Sequence, residues 1–265
     1  MKATSKKGET MKNQRNSEIR RAISNSLFTI LFVSAILVTG SGVVGQEHTE
    51  RVPPKPIPGS PLEPSKPITL KIISPKEGEV LLTNEVTMRF ELTNYDLAQG
   101  ENHIHVILDN QPYRPHYDEN APVVFKDVPE GTHVLRTFPS RPWHESWKNQ
   151  EAFEMVTFYV KKKGKNPIDY AKPVLTFSRP KGVYKGEKAK KILLDFWLWN
   201  ADLREGGYQV RYTLDGKSHL LAKWEPVWWE GLTSGTHTIV LELLDSNGKL
   251  VNNGWNRTER TFEVK

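Results

Sequence analysis

Two histidines one residue apart, His103 and His105, are the chain's clearest chemical opportunity. Side chains two apart on a strand project from one face, so both imidazoles are expected to point the same way, away from the core. Neutral imidazoles at that spacing hold Cu(II), Zn(II) or Ni(II) once one or two further donors join them. His116 and His144 are the candidate donors, in a stretch that carries five of the eight histidines. The plainer alternatives are two histidines occupying polar positions on an exposed sheet, or a polar ligand surface. Around His144, the segment Phe138-Pro-Ser-Arg-Pro-Trp-His-Glu-Ser-Trp147 reads as a connection rather than a strand and gathers Arg141, Trp143, Glu145 and Trp147. Such loops carry function disproportionately, and Arg141 suits an anionic ligand group.

A second set is aromatic. Trp197 and Trp199 alternate with Phe196 and Leu198, and Trp224, Trp228, Trp229 and Trp255 follow. Tryptophans in a row on an outward face stack on sugar rings or anchor a protein partner. Alternatively they bury one another under loops or against a neighbouring domain. Catalytic signatures are missing: the chain has no G-x-S-x-G, H-E-x-x-H or Walker loop. Carboxylate pairs picked from so many acids carry no information. The chain is read as non-enzymatic, and it calls for no cofactor unless the histidines take Cu or Zn.

The elements that position these residues come in two copies. Asn94-Tyr-Asp-Leu-Ala-Gln-Gly100 matches Asn200-Ala-Asp-Leu-Arg-Glu-Gly206 at an offset of 106, which also pairs Phe90 with Phe196, Leu108 with Leu214 and Asp109 with Asp215. After a two-residue adjustment, Gly131-Thr-His133 falls on Gly235-Thr-His237 and Phe158 on Phe262. Each copy alternates apolar and polar residues, as in Val86-Met88-Phe90-Leu92 and Ile192-Leu194-Phe196-Leu198, with turn signals between. The expected fold is all-β: two tandem immunoglobulin-like sandwiches of about seven strands each, over 67–163 and 174–265, joined by a linker at 164–173.

The duplication sorts residues. His133 and His237 coincide, which marks a structural imidazole bonded to nearby backbone. Asn94/Asn200 and Asp96/Asp202 are read as loop formers. His103 and His105 face Gln209 and Arg211 in the other copy, and Trp197 and Trp199 face Glu91 and Thr93, so these positions are free to specialise.

The strands and corners of copy one, with His103-Ile-His-Val-Ile-Leu-Asp109, Gly131-Thr-His-Val-Leu135 and Pro142-Trp-His144, resemble the immunoglobulin-like and fibronectin-type-III-like domains of exported bacterial proteins. The resemblance implies an extracytoplasmic β-sandwich and no particular reaction.

The first residues read as an address. Leu27–Val38 is an uncharged apolar run, preceded by Arg20-Arg21 and followed by small residues through Gly45. That is the order of a secretory signal, with Met11 as an alternative start and an uncleaved N-terminal anchor over 1–45 as the second reading. Residues 46–66 hold six prolines from Pro53 to Pro64 and read as an extended spacer. Seven of the 37 Lys and Arg and two of the 31 acids fall in residues 1–45, leaving 30 bases against 29 acids beyond. A body so balanced has no field for nucleic acid. Without cysteine there is no disulfide, thiolate nucleophile, lipid-anchoring cysteine or cysteine metal site. The expectation is an exported binding module of the cell envelope that engages polysaccharide or a protein partner and meets the membrane only through its N-terminal segment. A periplasmic Cu- or Zn-binding protein is the alternative.

Overall fold

In the computed structural model, which describes residues 64–265, the alternating stretches become sixteen strands. The signal or anchor reading and nearly all of the spacer fall outside the described residues. Among those described, no helix is long and apolar enough to cross a membrane.

The first copy contributes β1 (Thr69–Ser74), β2 (Val80–Leu81), β3 (Val86–Thr93), β4 (His103–Leu108), β5 (Arg114–His116), β6 (Val123–Phe125), β7 (Gly131–Ser140) and β8 (Glu154–Val160). They form a three-stranded sheet, β1-β3-β6, facing a five-stranded sheet, β2-β8-β7-β4-β5. The second copy contributes β9 (Val174–Arg179), β10 (Gly182–Tyr184), β11 (Lys191–Trp199), β12 (Gln209–Leu214), β13 (Lys217–Leu221), β14 (Val227–Glu230), β15 (Gly235–Leu244) and β16 (Arg257–Val264). Its sheets, β9-β11-β14 and β10-β16-β15-β12-β13, repeat the same order. This is tandem immunoglobulin-like sandwich topology. Each copy has eight strands rather than seven. The extra one is the short second strand, parallel to the last and too brief to show an alternation.

Each sandwich has its own core. Leu70, Val86, Met88, Ile104, Val106, Leu135 and Phe158 fill the first; Phe177, Ile192, Phe196, Tyr212, Ile239, Leu241 and Phe262 fill the second. The shared histidines hold matching corners. His133 Nδ1 donates to Asp109 Oδ2 at 2.9 Å, and His237 Nδ1 to Asp215 Oδ2 at 2.7 Å. Their Nε2 atoms donate to Pro129 O and Thr233 O, each at 2.8 Å. The aspartates, at φ 54° and 47°, also accept the backbone N–H of Val134 and Thr238. The backbone partner agrees with the sequence reading; the clasping aspartate is an addition to it.

The two copies differ in what their sheets do outside the cores. Strands β12 and β15 bury alternate residues, but β4, β7, β9 and β11 are buried on both faces. A strand buried on both sides lies between two packed layers. The outer face of the first five-stranded sheet packs on the outer face of the second three-stranded sheet, within one compact unit. Ile107, Phe138 and Phe153 meet Trp197 there, and Val134 meets Val174. The polar contacts are buried too. Arg136 donates to Thr176 Oγ1 at 2.9 Å, and Lys148 Nζ lies 2.8 Å from Asp195 Oδ1 and donates to Phe196 O. The connecting stretch is packed as well, with Ile168 buried and Asn166 bonded to Thr157. The equivalent outer face of the second five-stranded sheet carries charge instead: Arg211 and Arg257 flank Glu242 across β12, β15 and β16.

Candidate metal centre

Strand β4 points Ile104, Val106 and Leu108 into the core, so His103 and His105 project from the opposite face, as the alternation predicts. That face is covered rather than open: both histidines are fully buried because the second sandwich lies over them. The third member arrives from the loop after β7. That strand runs three residues further than expected, since Phe138 and Ser140 pair with His105 and His103, so the segment expected to be all connection begins as strand. The chain then turns tightly: His144 N–H donates to Arg141 O at 2.7 Å and Arg141 N–H to Glu145 O at 2.9 Å, with His144 at φ 69°. Arg141 pairs with Glu145 and lies 3.8 Å from the Trp147 ring centroid, while Trp143 Nε1 donates to Glu145. The loop's charged groups are spent on its own shape, which aims His144 back at β4.

Three ring nitrogens converge. His103 Nε2 is 3.1 Å from His105 Nε2 and 2.8 Å from His144 Nδ1, and the last two are 3.4 Å apart. Donors held at about 2.0–2.1 Å around a tetrahedral ion lie roughly 3.3 Å from one another. The triad is therefore close to ligating spacing. The outer nitrogens are pinned as metal-bound histidines usually are. His103 Nδ1 donates to Glu101 O at 2.8 Å, which leaves its Nε2 lone pair facing the cluster, and His105 Nδ1 meets Ser178 Oγ of the second sandwich at 3.1 Å. Tyr113 stacks on His105 with centroids 3.5 Å apart. No carboxylate joins the three within ligating reach among the described residues.

Burial sets the electrostatics. It drives His105 well below the ordinary imidazole range, helped by the neighbouring histidines, Arg179 and Lys181. His144 falls to about 3, through burial first and then the charges of Arg179, His103, Lys181 and Lys188. His103 is lowered by burial and, less strongly, by Arg179, against its bond to Glu101. All three rings stay neutral near neutral pH, the form that ligates.

The other candidates lie elsewhere. His116 sits opposite Ile104, so it turns toward the core side, packs edge-on to Phe90 and donates to Ala121 O. It does not belong with the triad, because register puts it on the other face. Arg141 is buried against Glu145, not presented to a ligand. Trp143 is 46% exposed at the rim beside His144. Trp197 is off its own core, as expected, but fully covered: it stacks on Phe153 at 4.2 Å and donates to Trp147 O. Trp199 donates to Tyr170 O and is half-buried. The expected outward aromatic face is an inter-sandwich face, since it is there that the first copy docks. Ser178, Arg179 and Lys181 were missed by sequence reasoning, because their relation to the histidines exists only through that docking.

A scan against protein-family models finds no match, nor does a comparison with curated proteins. Among solved structures, the chain is similar to the fibronectin(III)-like modules of Clostridium thermocellum CbhA, at 12% identity over 74% of this chain and 93% of that one, TM-score 0.26. It is also similar to the central fibronectin-III array of RIM-binding protein, at 12% identity over 77% and 71%, TM-score 0.27. A third match is to three N-terminal domains of the bacteriophage RB49 capsid protein Hoc, at 8% identity over 75% and 69%, TM-score 0.23. Superposition at that level lends no weight to a functional reading. The sandwich assignment rests on strand order and register.

Proposed function

We propose that the chain is an exported, non-catalytic module that binds a transition-metal ion, Zn(II) or Cu(II), through His103, His105 and His144. The observation that carries this reading is the convergence of three neutral ring nitrogens at 2.8–3.4 Å, two of them with pinned outer nitrogens. Imidazole donors suit both metals, and three of them bind without a cysteine. Export is supported by the apolar segment after Arg20-Arg21. A sugar-stacking role for Trp197 has no support, since its ring is covered by the first sandwich.

Isothermal titration of the purified chain with Zn(II) and Cu(II) tests the reading. One ion per chain is expected. His103→Ala, His105→Ala and His144→Ala each abolish tight uptake, whereas His116→Ala leaves it intact. Ser178→Ala weakens binding by about 10–100-fold, the usual cost of losing an outer-shell partner. Uptake indifferent to all three ligand changes would sink the assignment.

A further inference from the structure

The triad supplies three neutral donors and no charge, so a divalent ion held there keeps its full charge. Its surroundings carry more positive charge than negative: the one carboxylate near Tyr113, Asp195, stands opposite Arg179 and is already engaged by Lys148 and Ser146. Lys181 Nζ lies 4.0 Å from the centroid of Tyr113, the ring that stacks on His105, and donates to Tyr113 O at 2.8 Å. Arg179, the last residue of β9, is close enough for its charge to reach all three histidines, and Lys188, on the single helical turn before β11, for its charge to reach His144. Two cationic side chains and a metal ion in one half-buried place repel one another unless an anion joins them. A donor there is also unspent: Arg179 Nε is buried without a hydrogen-bond partner. Such groups in native structures call for a specific reason. A tetrahedral ion bound by three histidines needs a fourth donor, and among the described residues no Asp, Glu or Cys supplies it. His144 and Arg179 are only partly buried, so the site can be reached from solvent.

We propose that the fourth coordination position takes an oxyanion from solution, a carboxylate or a phosphate, which bridges the metal ion and the Arg179 and Lys181 side chains. The inference rests on the metal reading above. It makes the centre a receptor for an anionic solute or an anionic group on a larger ligand, with the metal as the first contact and the cations as the second. Binding of metal and anion is then mutually reinforcing, because each offsets the charge that opposes the other.

Co(II) gives the test an optical readout separate from any activity. The chain loaded with Co(II) is titrated with sodium acetate and, separately, with inorganic phosphate, following the visible d–d bands. Saturable band shifts with at least one anion are expected, and the stronger of the two identifies the preferred class. In Arg179→Gln and Lys181→Gln the half-saturating anion concentration rises about tenfold or more, the loss of one charge-assisted contact, while Co(II) uptake is retained. Lys188→Gln, a change at an exposed position, reports the same trend more weakly and needs no adjustment of packing. Co(II) bound with bands indifferent to both anions would overturn the anion proposal and leave the metal reading standing. An anion response unchanged in all three variants would overturn the assigned role of the cations. Absence of Co(II) bands in the unaltered chain would overturn both readings together.

Discussion

His133 shows how one side chain can be read twice and gain a partner each time. Its place in both copies marks it as architecture, and its bond to Pro129 O agrees. Asp109, which the sequence pairs only with Asp215, proves to be the group that matters for its charge. The bond to the Asp109 carboxylate raises the imidazole's pKa above the ordinary value, outweighing burial. With a folded value above the unfolded one, the added stability is fully present below the unfolded value of about 6.5 and is lost as pH rises through the folded one. Relative to His133→Gln, the unaltered chain's advantage in denaturant midpoint should therefore shrink from about pH 5 to about pH 9. An advantage that grows over that interval contradicts the clasp. At this scale the duplication marked the shared His133 and His237 as scaffold. It could not show that His144 joins the pair and His116 does not. One depends on a turn at φ 69° and the other on the register of an edge strand, and neither leaves a spacing signature.

Strand positions followed from alternation, because core faces repeat every second residue. Alternation alone leaves the outer face of β11 either a ligand face or one buried against a neighbouring domain, and Ile192-Leu-Leu-Asp-Phe-Trp-Leu-Trp199, nearly continuous in apolar residues, has the pattern of a strand buried on both sides. That run was the available clue to docking, and Asp195 within it was the clue to a polar clamp. Lys148 Nζ lies against Asp195 Oδ1, and Ser146 Oγ also donates to that carboxylate at 2.9 Å. Removing one partner strands a buried charge, so Asp195→Ala should cost about 3–5 kcal/mol of unfolding free energy. Asp195→Asn should cost less. Urea denaturation of the two variants gives the comparison, and a cost near zero for Asp195→Ala would mean that the ion pair is not a clamp.

Across the whole molecule, an interface that contains Trp197, Arg136 and the Lys148–Asp195 pair makes separate unfolding of the halves expensive. Tryptophan fluorescence and far-ultraviolet circular dichroism should therefore report one coincident transition. A metal ion present at about a hundredfold excess over its dissociation constant should raise the unfolding free energy by about 2.7 kcal/mol. Two resolved transitions, with the metal moving only one, would show that the sandwiches are independent. The Arg211–Glu242–Arg257 ladder bears on a different matter. By the internal alignment, Arg211 and Glu242 stand where the first copy has His105 and Phe138, the residues by which that copy accepts its neighbour. A repeat that stacks like on like would invite a third sandwich, or a second molecule, onto the next equivalent sheet. Crossed charges hold water there, and docking would have to strip it. The charged ladder thus makes that sheet a poorer seat for another sandwich than its counterpart in the first copy, while the same duplication gave the chain an interior to put histidines in.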